Sequence, residues 1–353
     1  MTPVYLSGRG LACGLGLDVA QAVAALQQGG NAAAFRSLPG AHGGHFPYRA
    51  ITCIGSDWNE RARLLVQKVA VEAGARQARH GALFIASSSS DIGAIEQGAA
   101  GLHYSAFAEN IATWLDWVGP VYMISMACTS SLNALIAAQA LLSAGEVEDA
   151  LVLGVELENQ LTPGGFAALQ LLSPTSSKPF AIQRDGLVLG EAVSALRVST
   201  REHSRWKILG GAAVVDGKQP TGASASAIVH MYQNALAQAG LPADRIDLIK
   251  VQAAGSPGND AVEAQGLREA FAVVPPLVSL KAAIGHTMGA SGAAEIALLT
   301  ACLDQGAWPG YADPVDESLG VALVASRPDS VRHVMATILG FGGSHATVVL
   351  ERA

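Results

Sequence analysis

Three short segments of the chain hold the side chains best suited to covalent chemistry. Cys128 sits in Ala127-Cys128-Thr129-Ser130-Ser131, where a short uncharged apolar run gives way to a helical pattern. N–H groups and the helix dipole at such a junction favour a thiolate over a thiol, the setting of a nucleophile. The other reading is a small buried side chain, since free cysteine is among the most buried residue types. The second segment, K-x-x-x-G-H-T-x-G-A-S-G, runs from Lys281 through His286 to Gly292. A histidine there can donate to a carbonyl oxygen or polarise a departing carboxylate, with Lys281 orienting it or tuning its pKa; an ordinary hydrogen-bonded structural histidine is the alternative. The third is Gly340-Phe341-Gly342-Gly343-Ser344, whose glycines let backbone approach a ligand and aim N–H groups at an oxyanion. Each is weak alone; together and in this order they form a specific set.

The elements around them alternate between strand-like runs and helix-period segments, which indicates an α/β layered architecture. Val4 to Leu6 reads as a strand and Asp18 to Gln28 as a helix ending at Gly29-Gly30, followed by a Gly- and His-rich loop through Pro47. Asp57 with Glu60 opens a helix through Ala73. Strands are expected at Ala82 to Ala86, Tyr122 to Met126 and Leu151 to Val155, with the nucleophile helix at Leu132 to Leu142 and extended chain from Gly186 to Val198. Beyond Ser199 the alternation restarts: helix Ser226 to Ala239, strand Leu248 to Val251, helices Ala261 to Phe271 and Ser291 to Leu303, then strands Val334 to Leu339 and Ala346 to Leu350 around the glycine turn. Two α/β halves follow, 1–199 carrying Cys128 and 200–353 carrying His286 and the turn.

Of the 353 residues, half are hydrophobic and 14% charged, enough apolar content for one large core or two fused ones. A net charge of −7 without a basic run argues against nucleic acid and against a polybasic membrane surface. The uncharged stretch from Trp117 to Gly145 is punctuated by Gly119, Pro120, Thr129, Asn133 and Gln139, so no membrane insertion is expected. The N-terminus lacks a secretory pattern, and the four cysteines, Cys13, Cys53, Cys128 and Cys302, show no metal or disulfide spacing; a reducing cytoplasm without a metal site is expected.

With these segments in view, the chain resembles the β-ketoacyl synthases, thiolase-like condensing enzymes that elongate acyl chains on acyl carrier protein. The likeness extends through A-C-T-S-S-L-N-A-L at the cysteine, R-D-G-L-V-L-G-E at 184–191, N-D-x-x-E at 259–263, K-A-A-I-G-H-T-M-G-A-S-G at 281–292 and G-F-G-G-S-H at 340–345. It implies a five-layer αβαβα fold of two pseudo-duplicated halves, a dimer, and a buried acyl tunnel. By the same likeness Cys128 would carry the acyl thioester, and the N–H groups of Cys128 and Phe341, with Gly342 in the same turn, would form the oxyanion hole, Phe341 also gating the pocket. His286 matches the second of two catalytic histidines, with Lys281 and Glu263 supporting it. No cofactor is implied; acyl and malonyl groups would arrive on the phosphopantetheine of acyl carrier protein.

The pattern breaks at the first catalytic histidine, which belongs to a V-x-A-H-G-T-x-T-P segment. Set against Val251-Gln252-Ala253-Ala254, Ala254 stands in the histidine's place, in a loop shorter by two residues, with Ser256 replacing one threonine. Losing one of two oxyanion donors costs about 3 to 4 kcal/mol, two to three decades in rate. His345, beside the glycine turn, is the best substitute by position. The family contains such degenerate sisters, chain-length factors that pair with a complete ketosynthase, and the retained cysteine most resembles the chain-length-factor-like partner of bacterial aryl polyene clusters. The alternative is an independently active 3-oxoacyl synthase or acyltransferase using a Cys128-His286 pair, as a homodimer.

Overall fold

A computed structural model describes residues 2–38, 44–52, 55, 57–99, 104–217 and 220–353. The first half runs β1 (Val4–Cys13), α1 (Val19–Gln27), β2 (Ala34–Leu38), β3 (Gly44–Arg49), α2 (Trp58–Glu72), β4 (Ala82–Ala86), α3 (Ile92–Glu96), α4 (Tyr104–Trp114), β5 (Val121–Ile124), α5 (Ser130–Ala144), β6 (Asp149–Glu156), α6 (Leu161–Ala168), β7 (Leu189–Gly190) and β8 (Ala192–Ser199). The second runs β9 (Trp206–Val215), α7 (Ala225–Ala239), β10 (Leu248–Lys250), α8 (Pro257–Ala270), β11 (Leu277–Val278), α9 (Lys281–Ile284), α10 (Ser291–Gln305), β12 (His333–Leu339) and β13 (Ser344–Arg352). Asp18 and Asp57 cap α1 and α2 by accepting the N–H groups of Gln21 and Glu60 at 2.8 and 2.9 Å, so both helices start where side-chain oxygens can serve their free donors.

Among the described residues, ten strands form one sheet in the order β11-β10-β12-β13-β9-β1-β8-β6-β4-β5, and β2-β3-β7 form a small second one. Its centre is a thin seam: β1 meets β9 only at Val4↔Ile208 and Tyr5↔Lys207. On either side the same arrangement repeats. From the seam outward come two antiparallel pairings, β1 with β8 and β8 with β6, then two parallel ones, β6 with β4 and β4 with β5. The other half repeats this with β9, β13, β12, β10 and β11.

Side-chain alternation sorts the core into layers. On β4, Leu83 and Ile85 pack with α2 and α4, whereas Ala82, Phe84 and Ala86 pack with α5 and α10. On β12, Val334, Ala336 and Ile338 join that same middle layer, and Met335 and Leu339 face α7 and α8. The result is helix, sheet, helix, sheet, helix, the thiolase-like five-layer αβαβα arrangement. Both faces of the strands are covered, which is why they read as continuous apolar runs. Residues 127–144 are apolar enough to cross a membrane by composition, with mean hydropathy 1.3. Here they form the middle layer, with Leu132, Ala134, Leu135, Ala138 and Leu142 buried between the two halves of the sheet.

Several sequence expectations needed correction. The loop through Pro47 contains the paired strands β2 and β3, although residues 39–43 lie outside the described set. Strand β9 and helix α6 were not anticipated: Gly210 and Gly211 break the apolar run of one, and Pro163-Gly164-Gly165 the pattern of the other. Trp114 and Trp117 pack against the α2 and α4 core, the Trp117 indole donating to the Gly81 carbonyl at 3.1 Å. Cys13, Cys128 and Cys302 are free and buried, and Cys53 lies outside the described residues.

Candidate active site

Cys128 follows β5 on a tight turn. Ala127 adopts φ +47°, a left-handed conformation costly for a residue with a Cβ, and side chains hold it there. The Ser130 hydroxyl donates to the Ala127 carbonyl at 2.6 Å and accepts the Met126 N–H at 2.9 Å, while the Thr129 hydroxyl donates to the Met126 carbonyl at 2.7 Å. His286 is presented in the same way from the other half, directly after Gly285 at φ +74°, where an added Cβ would lie 2.8 Å from the Leu189 backbone. The two side chains meet across the middle layer. His286 Nε2 lies 3.0 Å from Cys128 Sγ, and its Nδ1 lies 3.1 Å from Ser291 Oγ, which fixes the ring.

Burial, not the helix terminus, sets the charge state. Desolvation pushes the Cys128 thiol up to about 11, outweighing Lys281 and the N–H groups of Phe341 and Cys128, which act in the opposite direction. The expected resting thiolate is therefore corrected to a thiol. Desolvation, with Lys281 and Lys250, holds His286 well below the usual imidazole range. The resting pair is neutral, and at 3.0 Å the thiol proton is within reach of the His286 ring, the geometry by which a thiolate could form.

Lys281 does not touch the imidazole. Its ammonium pairs with Glu295, whose other oxygen accepts from Lys250 at 2.6 Å, and Lys250 also donates to the Thr337 carbonyl at 2.6 Å. All three charges are buried, and desolvation lowers Lys250 to about 8. Lys281 acts on the site through its field alone. Glu263 is likewise not a support of His286: its Oε1 accepts the Gln252 N–H at 2.7 Å, and its Oε2 has no hydrogen-bond partner among the described residues. Desolvation raises this carboxyl to about 8, so it is largely protonated near neutrality. Glu295 and Lys250 escaped the sequence reading because nothing in their spacing links them: they lie 14 residues after and 31 before Lys281, inside apolar segments.

The glycine turn closes the site. A Cβ at Gly340 would meet Thr129 Cγ2 at 3.3 Å and Cys128 N at 3.4 Å, so this approach suits a residue without a side chain. The Phe341 N–H bears on Cys128 Sγ, as an oxyanion donor should, and its ring stacks on Phe166 at 5.2 Å between centroids. Gly342 is corrected: it is exposed, and its N–H is taken by the Pro220 carbonyl at 2.8 Å. A narrow cavity lies between these walls, lined by Cys128, His286, Phe341, Gln252, Ala254 and Ser256, with Asn259, Asp260 and Glu263 behind.

The vacated histidine position also moves. Gln252, Ala254 and Ser256 line the cavity, whereas Val251 and Ala253 enter the apolar core beneath α7 and α8, the period-two pattern of extended chain. Setting V-x-A-H-G-T-x-T-P on the chain by its proline, Pro257, needs no gap and puts Gln252, not Ala254, in the histidine's place. Ala254 and Ser256 then fall at the two threonines. Ala254 is held by backbone alone, its N–H on Asp260 at 3.2 Å and its carbonyl accepting from Ser177 Oγ at 2.6 Å. His345 does not fill the gap: it is buried on β13, its ring nitrogens lack partners among the described residues, and it does not line the cavity.

This fold and this cysteine–histidine geometry define the thiolase-like condensing enzymes. Residues 58–204 match the β-ketoacyl synthase N-terminal domain and residues 207–313 the β-ketoacyl synthase C-terminal domain; the chain belongs to the β-ketoacyl synthase family. The chloroplastic 3-oxoacyl-[acyl-carrier-protein] synthase II of Arabidopsis thaliana is 29% identical over 273 residues, 68% of this chain and 48% of its own length. The 3-oxoacyl-[acyl-carrier-protein] synthase 2 of Coxiella burnetii is 29% identical over 260 residues, 67% of this chain and 63% of its own. The chain thus spans less than two thirds of the length of these curated relatives. Among solved structures, the ketosynthase ApeO in complex with its chain length factor ApeC from Xenorhabdus doucetiae matches at TM-score 0.85 and 25% identity, covering 100% of this chain and 98% of the other.

Proposed function

We propose that this chain is a chain-length-factor-like subunit that pairs with a complete ketosynthase in fatty acid or polyketide elongation, of the kind that serves bacterial aryl polyene synthesis, and that it is impaired in decarboxylative condensation by itself. One observation carries this reading: among the described residues lining the cavity, His286 is the sole imidazole. Decarboxylation places negative charge on the thioester oxygen, and a site without its second imidazole steadies that charge less well. Pairing is supported by β5, which ends the ten-stranded sheet with Val121, Tyr122 and nearby Val118 and Met126 exposed, an edge unpaired among the described residues and suited to another subunit. Acyl and malonyl groups would come on the phosphopantetheine of acyl carrier protein, with no further cofactor. Three free buried thiols suit the cytoplasm.

The decisive assay is malonyl-carrier decarboxylation by the purified chain, alone and in complex with a complete ketosynthase partner. Little turnover alone and full turnover in the complex are expected; efficient turnover by the lone chain overturns the reading. The 3.0 Å contact between His286 and Cys128 favours a second reading, an independent acyltransferase or slow 3-oxoacyl synthase. Under it, incubation with acyl carriers would give an adduct on Cys128 by mass spectrometry, and Cys128→Ala would abolish activity.

A further inference from the structure

We infer that Gln252 supplies a carboxamide donor to the carbonyl oxygen of a carrier-borne thioester bound over Cys128, which makes this cavity a thioester-binding site even where it turns over poorly. The inference rests on the reading of the chain as a ketosynthase-class subunit. Gln252 is 8% exposed and shares the cavity wall with Cys128 and His286. Its Oε1 is buried with no hydrogen-bond partner among the described residues, a condition that native structures rarely leave without a purpose.

The backbone around it cannot readily swing away. The Val251 N–H donates to the Val278 carbonyl at 2.9 Å, the Gln252 N–H to Glu263 at 2.7 Å, and the Ala254 N–H to Asp260 at 3.2 Å. The side chain is therefore aimed into the cavity from a segment pinned on both sides. A carboxamide carries two N–H donors and one acceptor, and rotation about its last bond exchanges them. Facing a thioester it donates to the carbonyl oxygen, joining the Phe341 and Cys128 N–H groups. Unlike an imidazole it has no proton to surrender near neutrality. No bond is made or broken in this binding step. Such a site holds a carbonyl and stabilises a growing oxyanion without general-acid assistance.

The test uses Cys128→Ala as the background, so that no acyl transfer occurs, and two probes: hexanoyl-pantetheine and its thioether analogue, which lacks the carbonyl. Affinities are measured by calorimetry in the complex with the partner ketosynthase and in the chain alone. Gln252→Leu should weaken the thioester roughly tenfold, the scale of one buried hydrogen bond, and leave the thioether unchanged. Gln252→Met keeps the length without a donor and serves if the leucine variant fails to fold; it should show the same selective loss. Equal losses for both probes, or no loss, overturn the inference. In the Cys128 chain, Gln252→His should raise malonyl-carrier decarboxylation at least tenfold, and no gain counts against the assignment of this position. Efficient turnover by the unaltered chain would sink the subunit reading while leaving the selective loss intact; an inactive lone chain with no selective loss would sink only the role of Gln252.

Discussion

Two neighbouring strands of the C-terminal half, β10 and β11, deliver their following loops to the same cavity, and they arrive in different chemical conditions. The loop after β11 carries a connected set: His286 on Cys128 and Ser291, with Lys281 neutralised on Glu295 nearby. The loop after β10 is equally well built as backbone, with Asp260 accepting from Phe180, Ala254 and Gly255 at 3.0 to 3.2 Å, yet it presents only Gln252, Ala254 and Ser256 to the ligand. The frame of the second loop is complete although it offers the cavity no imidazole. Geometry and chemistry are therefore separable: a loop clamped by a buried carboxylate holds its path whatever side chain it displays to the cavity.

The sharpest way to break this contrast is His286→Ala. With the thiol held at about 11, the imidazole is the base that makes thiolate, and its removal should slow acylation of Cys128 by about 10² to 10⁴, read as adduct formation by mass spectrometry. Ala254→Ser, in the other loop, should leave that rate within a few-fold. Next in size is Glu295→Ala, which strands two buried ammonium groups and should cost about 3 to 5 kcal/mol in urea unfolding. Its counterpart beside β10, Ser177→Ala, removes one neutral hydrogen bond and should cost about 1 kcal/mol. A similar cost for both would mean that the two loops are held alike. A third comparison is a pH slope. Burial raises the Glu263 carboxyl from its ordinary 4.5 to about 8, so the folded chain keeps a proton that the unfolded chain releases. That contribution to stability is complete below the unfolded value and is lost as pH rises through about 8. Glu263→Gln should flatten the fall in urea midpoint between pH 5 and pH 8; an unchanged slope would assign it to other groups.

Much of this was legible in the residues. β4 was read to its ends because both of its faces are covered, and α2 because Asp57 announces its start. The meeting of Cys128 and His286, 158 residues apart, followed from motifs and not from any local signal. What stayed hidden was set by tertiary surroundings. The thiolate was inferred from a helix terminus, but whether a thiol ionises depends on how much water it keeps. Glu295 lies in an α10 run buried from Ser291 to Leu303, where nothing local distinguishes a charge partner from a packing error. Ala254 was chosen because the motif was anchored at a valine, and a run of small apolar residues offers several equivalent anchors; both Gln252 and Ala254 face the cavity, and only setting the motif by Pro257, without a gap, separates them.

The left-handed residues before Cys128 and before His286 sit at matching places in two copies of one strand arrangement, and the copies touch along their sheets at only two residue pairs. Sulfur and imidazole thus come from different halves, which the shared middle layer of α5 and α10 joins as well as that seam, and their 3.0 Å spacing depends on how the halves are held. A substitution at Val4, Tyr5, Lys207 or Ile208, remote from any ligand, would therefore act on the reactive pair and on the cavity walls together, since both halves line the cavity.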